Sequence, residues 1–317
     1  MQRSNNDTGL PSIMVPYQGP VDEGWQDIFL YLRPETNGVK MESAILKVLS
    51  RQPGYKTDLK LAYMANLPGE FMMANHVVEN HYQVQLHFAV HGRNAFTPHM
   101  QKAFSDYFHV DFKEANIYGS FTALRVFRLT PDELFDVWVE PDDLLEINGQ
   151  NIKRLGGNYV VNYNIPALLH KHTQRTDIAV LMFRTRMNYS QFGESIELVR
   201  ESLVEMGYIE PGYPLGRIFH YTKGPMGQLL DGMGYLYREN GKHVAFEEVS
   251  FAKYLLDNGI PKAVIMNLVK FPVVVMDDGR EVNFFRLTQG CDYRHCLEVL
   301  KRIRSQYVYT LGIHRPS

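Results

Sequence analysis

The sequence predicts an α+β protein, a tandem duplication of ferredoxin-like βαββαβ units whose antiparallel sheets carry helices on one face. Three observations point there. The block DIFLYLRPETNGVKMESAILKVLSRQPGY, Asp27 to Tyr55, lines up with DIAVLMFRTRMNYSQFGESIELVRESLVEMGY, Asp177 to Tyr208. Four fainter pairs follow in the same order, at an offset near 150 residues apart from one longer connection in the first copy. Within each block a β-branched and aromatic run gives way to an amphipathic one, which is the order strand then helix.

The strongest pair matches residue by residue at Glu42–Ser43 with Glu194–Ser195, and at Gly54–Tyr55 with Gly207–Tyr208. Its helices place apolar residues three and four apart, at Ile45, Val48 and Leu49 and at Ile196, Val199, Leu203 and Met206. LKLAYM from Leu59 then answers LGRIFHYT from Leu215, and QLHFAVHGRNAF from Gln85 answers GYLYRENGKHVAF from Gly234, both pairs read as strands. MQKAFSDYF from Met100 answers FAKYLLDNG from Phe251 as helices, and ANIYGSFTALRVF from Ala115 answers AVIMNLVKFPVVV from Ala263 as closing strands. Strand, helix, strand, strand, helix, strand is the split βαβ arrangement. Each unit leaves one apolar sheet face bare, and a second copy is what covers it or extends the sheet.

The domain organisation expected is a flexible N-terminal segment over 1–22, a first unit over 23–150, a linker strand over 151–176, a second unit over 177–309 and a tail over 310–317. The first unit ends in an added helix signalled by Thr130 before Pro131. The second is extended by a hairpin around Asp278–Gly279 and a closing helix in YRHCLEVLKRIRSQY.

With 317 residues, 45% hydrophobic, the chain can bury a large core. Its 33 Lys and Arg against 35 Asp and Glu set up no net field toward nucleic acid or an anionic membrane. No apolar run approaches the roughly 18 to 20 residues of a membrane span, and MQRSNNDTGLPSIMVPYQGP has no apolar signal core, so the expected compartment is cytoplasmic. Cys291 and Cys296 are the only cysteines, too few for a disulfide framework, and with His295 they supply at most three metal ligands; the sequence names no metal site and no cofactor.

Chemistry concentrates in HYTKGPMGQLLDGMGYLY, His220 to Tyr237. It fits neither the P-loop, whose Lys follows its glycines, nor G-x-G-x-x-G. GPMG has the spacing of a KH loop but follows a strand instead of joining helices. Two readings remain: a turn in which the glycines allow close packing, or an anion site with charge from side chains and close approach at glycine backbone. The second assigns Arg217, His220, Tyr221, Lys223, Gly224 and Gly227, joined by Arg186 from the strand AVLMFRTRM if the strand ends meet. His170 and His172, two apart, face alike on a strand and are merely solvated on a loop. His81, His87, His91 and His99 read as core or rim residues, and no nucleophile elbow or H-E-x-x-H occurs. The expected function is a non-catalytic regulatory or small-ligand-binding protein taking an anionic small molecule near residues 217–227, with self-association into a homo-oligomer. An enzyme on a phosphorylated or carboxylated substrate, with His220 or Tyr221 moving a proton, is the second reading, and an assembly protein the third. Nucleic-acid binding ranks below these, because IYGSF falls on the wrong strand for an RNP motif.

Overall fold

A computed structural model describes residues 9–21 and 24–309. It is a mixed α+β protein with mainly antiparallel sheets. The chain divides into two compact units that interleave along the sequence: Met1–Val77 with His172–Val269 and Thr288–Lys301, and Val78–Lys171 with Lys270–Leu287 and Arg302–Ser317. The expected boundaries at 23–150, 151–176 and 177–309 are consecutive, so they cut across this division.

The first unit is built on a five-stranded sheet. Its strands are β1 (Ser12–Val15), β2 (Gln26–Leu32), β3 (Leu59–Leu67), β4 (Ile178–Thr185) and β5 (Phe219–Tyr221), in the spatial order β1-β3-β4-β2-β5 with every neighbour antiparallel. This corrects the tandem duplication. The two blocks matched from Asp27 and Asp177 supply β2 and β4, adjacent central strands of one sheet, and the matched LKLAYM and LGRIFHYT segments supply most of β3 and all of β5 beside them. The repeat is therefore a half-unit, strand–helix–strand, and two halves make a single sheet. Both central strands are buried along their whole length, which explains why DIFLYL and IAVLMF are continuous apolar runs without alternation.

One face of this sheet carries helices α1 (Val39–Leu49) and α2 (Tyr189–Glu205), as expected for helices on one side. Ile28, Leu30, Leu32, Leu181 and Phe183 meet Ile45 and Leu49 of α1 and Phe192, Ile196, Val199 and Leu203 of α2. Each such side chain contributes roughly 1.5–3 kcal/mol on burial. Helix α2 starts at Asn188, whose side chain and that of Gln191 satisfy each other's backbone N–H groups. The other face, carrying Phe29, Tyr31, Tyr63, Val180 and Met182, is covered by local additions: helix α3 (Pro225–Tyr235), the stretch through Leu236, Tyr237 and Val244, and Phe71 and Met72. A second copy is not needed to hide it.

Several predicted strands are helices. QLHFAVH lies within the helix Gln83–His91, whose alternating apolar residues serve two clusters: Val84 and Phe88 join one, Leu86 and Ala89 another. A helix gripped on two sides imitates the period of a strand. AVIMNLVK is helical over Lys262–Lys270, with a strand only at Val273–Met276; NIYG is a short strand that runs straight into the helix Ser120–Phe127. GYLYRENGKHVAF contributes an isolated bridge between Tyr237 and His243. The first residues, expected to be loose, include edge strand β1 paired to β3 and a buried Tyr17 whose hydroxyl donates to the Glu248 carbonyl; residues 1–8 and 22, and the tail 310–317, lie outside the described part.

The second unit holds a four-stranded sheet, ordered Asn116–Gly119, Asn158–Val161, Gln150–Leu155, Leu144–Ile147, whose first pair is parallel. The expected linker strand is thus a hairpin within this unit, followed by the helix Ile165–Lys171. A three-stranded sheet contains the expected hairpin, Val273–Met276 against Glu281–Asn283, and beyond the closing helix Tyr293–Leu300 the strand Ile303–Gln306 joins it. The Thr130 start is present as a reciprocal cap with Glu133.

Candidate functional site

Strand β5 is the outer edge of the first unit's sheet, paired to β2 at Leu30↔Tyr221, Tyr31↔His220 and Leu32↔Phe219. Alternation sends Phe219 and Tyr221 to the α1/α2 face, so His220 and Thr222 turn to the face covered by α3. The chain then reverses at Gly224 into α3, and two turns along it Asp231 comes back over the strand. Asp231 Oδ2 accepts the Thr222 hydroxyl at 2.6 Å, and Oδ1 lies 3.4 Å from His220 Nε2. Thr222 Oγ1 in turn accepts the Phe29 N–H at 2.9 Å, tying the group to the central strand. Asp231 is 1% exposed, whereas the His220 side chain keeps 30% exposure.

Aromatic and basic groups surround that imidazole. The His220 ring stacks on Tyr31 at 4.6 Å and 20°, and Tyr235 of α3 contacts the same Tyr31 ring at 4.3 Å. The Arg33 guanidinium stands 5.7 Å from the Tyr31 ring centre, and its Nε donates to the Gly216 carbonyl at 3.1 Å. A carboxylate held in the interior behind a half-buried imidazole fixes the orientation of that ring.

The seven residues assigned from sequence fall in separate places. Arg217 lies in the helical turn Leu215–Ile218, next to the Gly216 that Arg33 bonds. Tyr221 packs on the opposite face from His220, where burial and Glu197 push its phenol pKa up. Lys223 is exposed and holds its ammonium 5.5 Å from the Tyr221 ring. Gly224 is the N-cap of α3, where a Cβ would stand 2.8 Å from the Thr288 carbonyl oxygen, and the Lys223 carbonyl accepts the Gly290 N–H at 2.8 Å. The glycine is required for this close backbone approach; its φ of 176° is one any residue adopts. Gly227 would bring a Cβ only to 3.4 Å of Thr222 Cγ2. Arg186 lies past the end of β4, 4.7 Å from the Trp25 ring and 3.7 Å from the Asp58 carboxylate. Of the seven, His220 is the residue joined to a buried carboxylate. Thr222, Asp231, Tyr31 and Arg33 are additions that sequence reasoning missed; a lone Asp inside the apolar GQLLDGMG is the signal that could have flagged one of them.

A second buried polar group sits where β5 has ended and β2 continues. Arg184 Nε bonds Asp27 Oδ1 at 2.8 Å, its NH2 bonds Oδ2 at 3.2 Å and the Gly19 carbonyl at 2.7 Å, and the Ser250 hydroxyl donates to Asp27 Oδ2 at 2.5 Å. Tyr293 donates to Gln228 Oε1 at 2.6 Å and accepts from the Asp27 backbone, which satisfies the sheet edge that lacks a strand there. The cluster is fully paired around the charges and reads as architecture. His172 is likewise pushed down to about 4, by burial and by Arg33, so it stays neutral. Burial raises both thiols, Cys296 the more strongly, which leaves them poor nucleophiles.

Two clefts open elsewhere in this unit, one of about 370 Å³ between Tyr17 and Asn240 and one of about 210 Å³ between Met233 and Met266. Neither includes His220. We weight the His220 group above them because it brings together a buried carboxylate, an imidazole and a guanidinium, whereas the roomier cleft is lined by Arg238 already paired with Glu248 at 2.6 Å. Among the described residues no helix is long and apolar enough to cross a membrane. Comparison with protein-family models, with curated proteins and with solved structures finds no match to the chain.

Proposed function

We propose that the first unit is a single ferredoxin-like βαββαβ frame, interrupted between its second and third strands by the other unit, and that it binds a small anionic ligand at the open edge of β5. The reading is a regulatory or ligand-binding role, with the Arg33 guanidinium as the charged contact, His220 as a hydrogen-bonding one, Arg217 beside them and Tyr31 as the stacking floor. The observation that carries it is the buried Asp231 carboxylate 3.4 Å behind a partly exposed His220. An interior carboxylate costs several kcal/mol unless something holds it, and here Thr222 and the His220 ring beside it do so, which aims the imidazole. The 217–227 loop contributes through His220, while Gly224 serves the packing against residues 288–290.

The test uses inorganic phosphate and citrate as probes on the full chain, read by thermal shift and by titration calorimetry. Wild-type protein should gain stability with either anion, and His220→Ala and Arg33→Ala should lose that gain while keeping their own unfolding transition. No gain in the wild type, or an equal gain in His220→Ala, defeats the reading. A second reading, in which the same pair acts as a general base on an anionic substrate, draws on the Asp–His geometry alone. It predicts that Asp231→Asn abolishes turnover of a phosphate or carboxylate ester substrate while the anion still binds.

A further inference from the structure

The second unit contains a constellation that the reading above leaves unused. His87 and His91 stand four residues apart on the helix Gln83–His91, with ring centres 4.5 Å apart. That spacing puts two imidazoles on one helix face, the arrangement by which i,i+4 histidine pairs chelate a metal. The ring of Tyr309 stacks on His87 at 4.7 Å, so an imidazole pair and a phenol gather at one place. His87 Nδ1 and the Tyr309 hydroxyl are both buried without a hydrogen-bond partner. Phe88 and Phe271, whose rings lie 6.1 Å and 5.2 Å from that of Tyr309, offer neither of them an acceptor. Two orphaned polar atoms on stacked rings call for a bridging water or an ion.

We propose that His87, His91 and Tyr309 bind one divalent transition-metal ion of the zinc type. Two neutral nitrogens and one phenol oxygen form a borderline set that suits Zn2+, Co2+ or Ni2+ and gives little to Mg2+ or Ca2+, which want several carboxylate or carbonyl oxygens. Three protein ligands leave the fourth tetrahedral position to water. Among the described residues no group of three or more His, Cys, Asp or Glu is placed to hold a metal, so the proposed site has two imidazoles and takes its third ligand from the stacked phenol. If Tyr309 binds as the phenolate, one proton leaves to solvent on coordination. The site is independent of the anion-binding reading and stands or falls by its own residues.

The test is titration of the full chain with ZnCl2 by calorimetry, with visible absorption of the Co2+ form as a second readout. One equivalent should bind, and His87→Ala and His91→Ala should each weaken it by more than about tenfold, the scale on which even outer partners of a metal ligand act. Tyr309→Phe should weaken it less, and His99→Ala, at an exposed position on a different helix, should leave it unchanged. Co2+ should give ligand-field bands that His91→Gln abolishes. His91 is partly exposed, so that variant keeps the helix and decides the matter even if His87→Ala does not fold. No bound equivalent in the wild type, or binding undiminished in both histidine variants, overturns the proposal and assigns the two orphans to water.

Discussion

Arg184 and Asp27 face each other across the two central strands of the first unit and bond through two nitrogens, at 2.8 and 3.2 Å, in a site where neither side chain reaches a tenth of full exposure. The pair is satisfied by Ser250 and by the Gly19 carbonyl as well. Removing one member strands the other. Asp27→Ala should therefore cost about 3–5 kcal/mol of stability, and an Asp27→Leu, Arg184→Met double variant should cost clearly less than Asp27→Ala alone. Urea unfolding of wild type, Asp27→Ala and the double variant checks this, and a double variant no more stable than Asp27→Ala contradicts it.

Gly224 and Gly227 are both in the turn that starts α3, yet they predict opposite outcomes. Gly224→Ala drives a methyl to 2.8 Å from the Thr288 carbonyl oxygen, a backbone atom that cannot swing away, and should cost about 1–3 kcal/mol. Gly227→Ala meets only the Thr222 methyl, at 3.4 Å, and should be neutral or stabilise by up to about 1 kcal/mol through helix propensity. Equal effects in chemical denaturation would refute the distinction.

Lys153 is 3% exposed, and its ammonium donates to the carbonyls of Leu134, Phe135 and Val137 at 3.3, 2.9 and 2.8 Å, closing the end of the helix Pro131–Asp136. Lys153→Met keeps the bulk and leaves those carbonyls unpaired in a desolvated place, which should destabilise by roughly 1–3 kcal/mol. Hydrogen exchange should show residues 131–137 opening faster, and unchanged protection there would argue against this role.

His172 carries a pH signature. Its folded pKa is about 4, below the ordinary histidine value near 6.5, so between those values the unfolded chain binds the extra proton. The stability tied to its neutral form is whole above about pH 6.5 and is lost as pH falls through about 4. After allowance for partial exposure the effect is on the order of 1–2 kcal/mol. His172→Gln should flatten the stability curve between pH 6.5 and 4 relative to wild type; parallel curves would rule the contribution out.

The sequence by itself determined the strand-then-helix blocks from Asp27 and Asp177, because continuous apolar runs and three-to-four spacing are local patterns. It also determined the Thr130 cap and the Asp278–Gly279 hairpin, each set by a few adjacent residues. Only the tertiary structure decided how the blocks combine. A half-unit and a whole unit look alike along the chain, since partner choice depends on strands 150 residues apart, and β2 lies beside β4 where each block was expected to open a four-stranded unit of its own. The helix Gln83–His91 was misread for a related reason: its alternation reflects two surrounding clusters that no local window contains. His220 was legible as a polar strand residue. The carboxylate beside it came from two turns into α3, and Tyr31 on β2 and Arg33 just past that strand's end came from nearly two hundred residues earlier, brought together by sheet pairing that only folding creates.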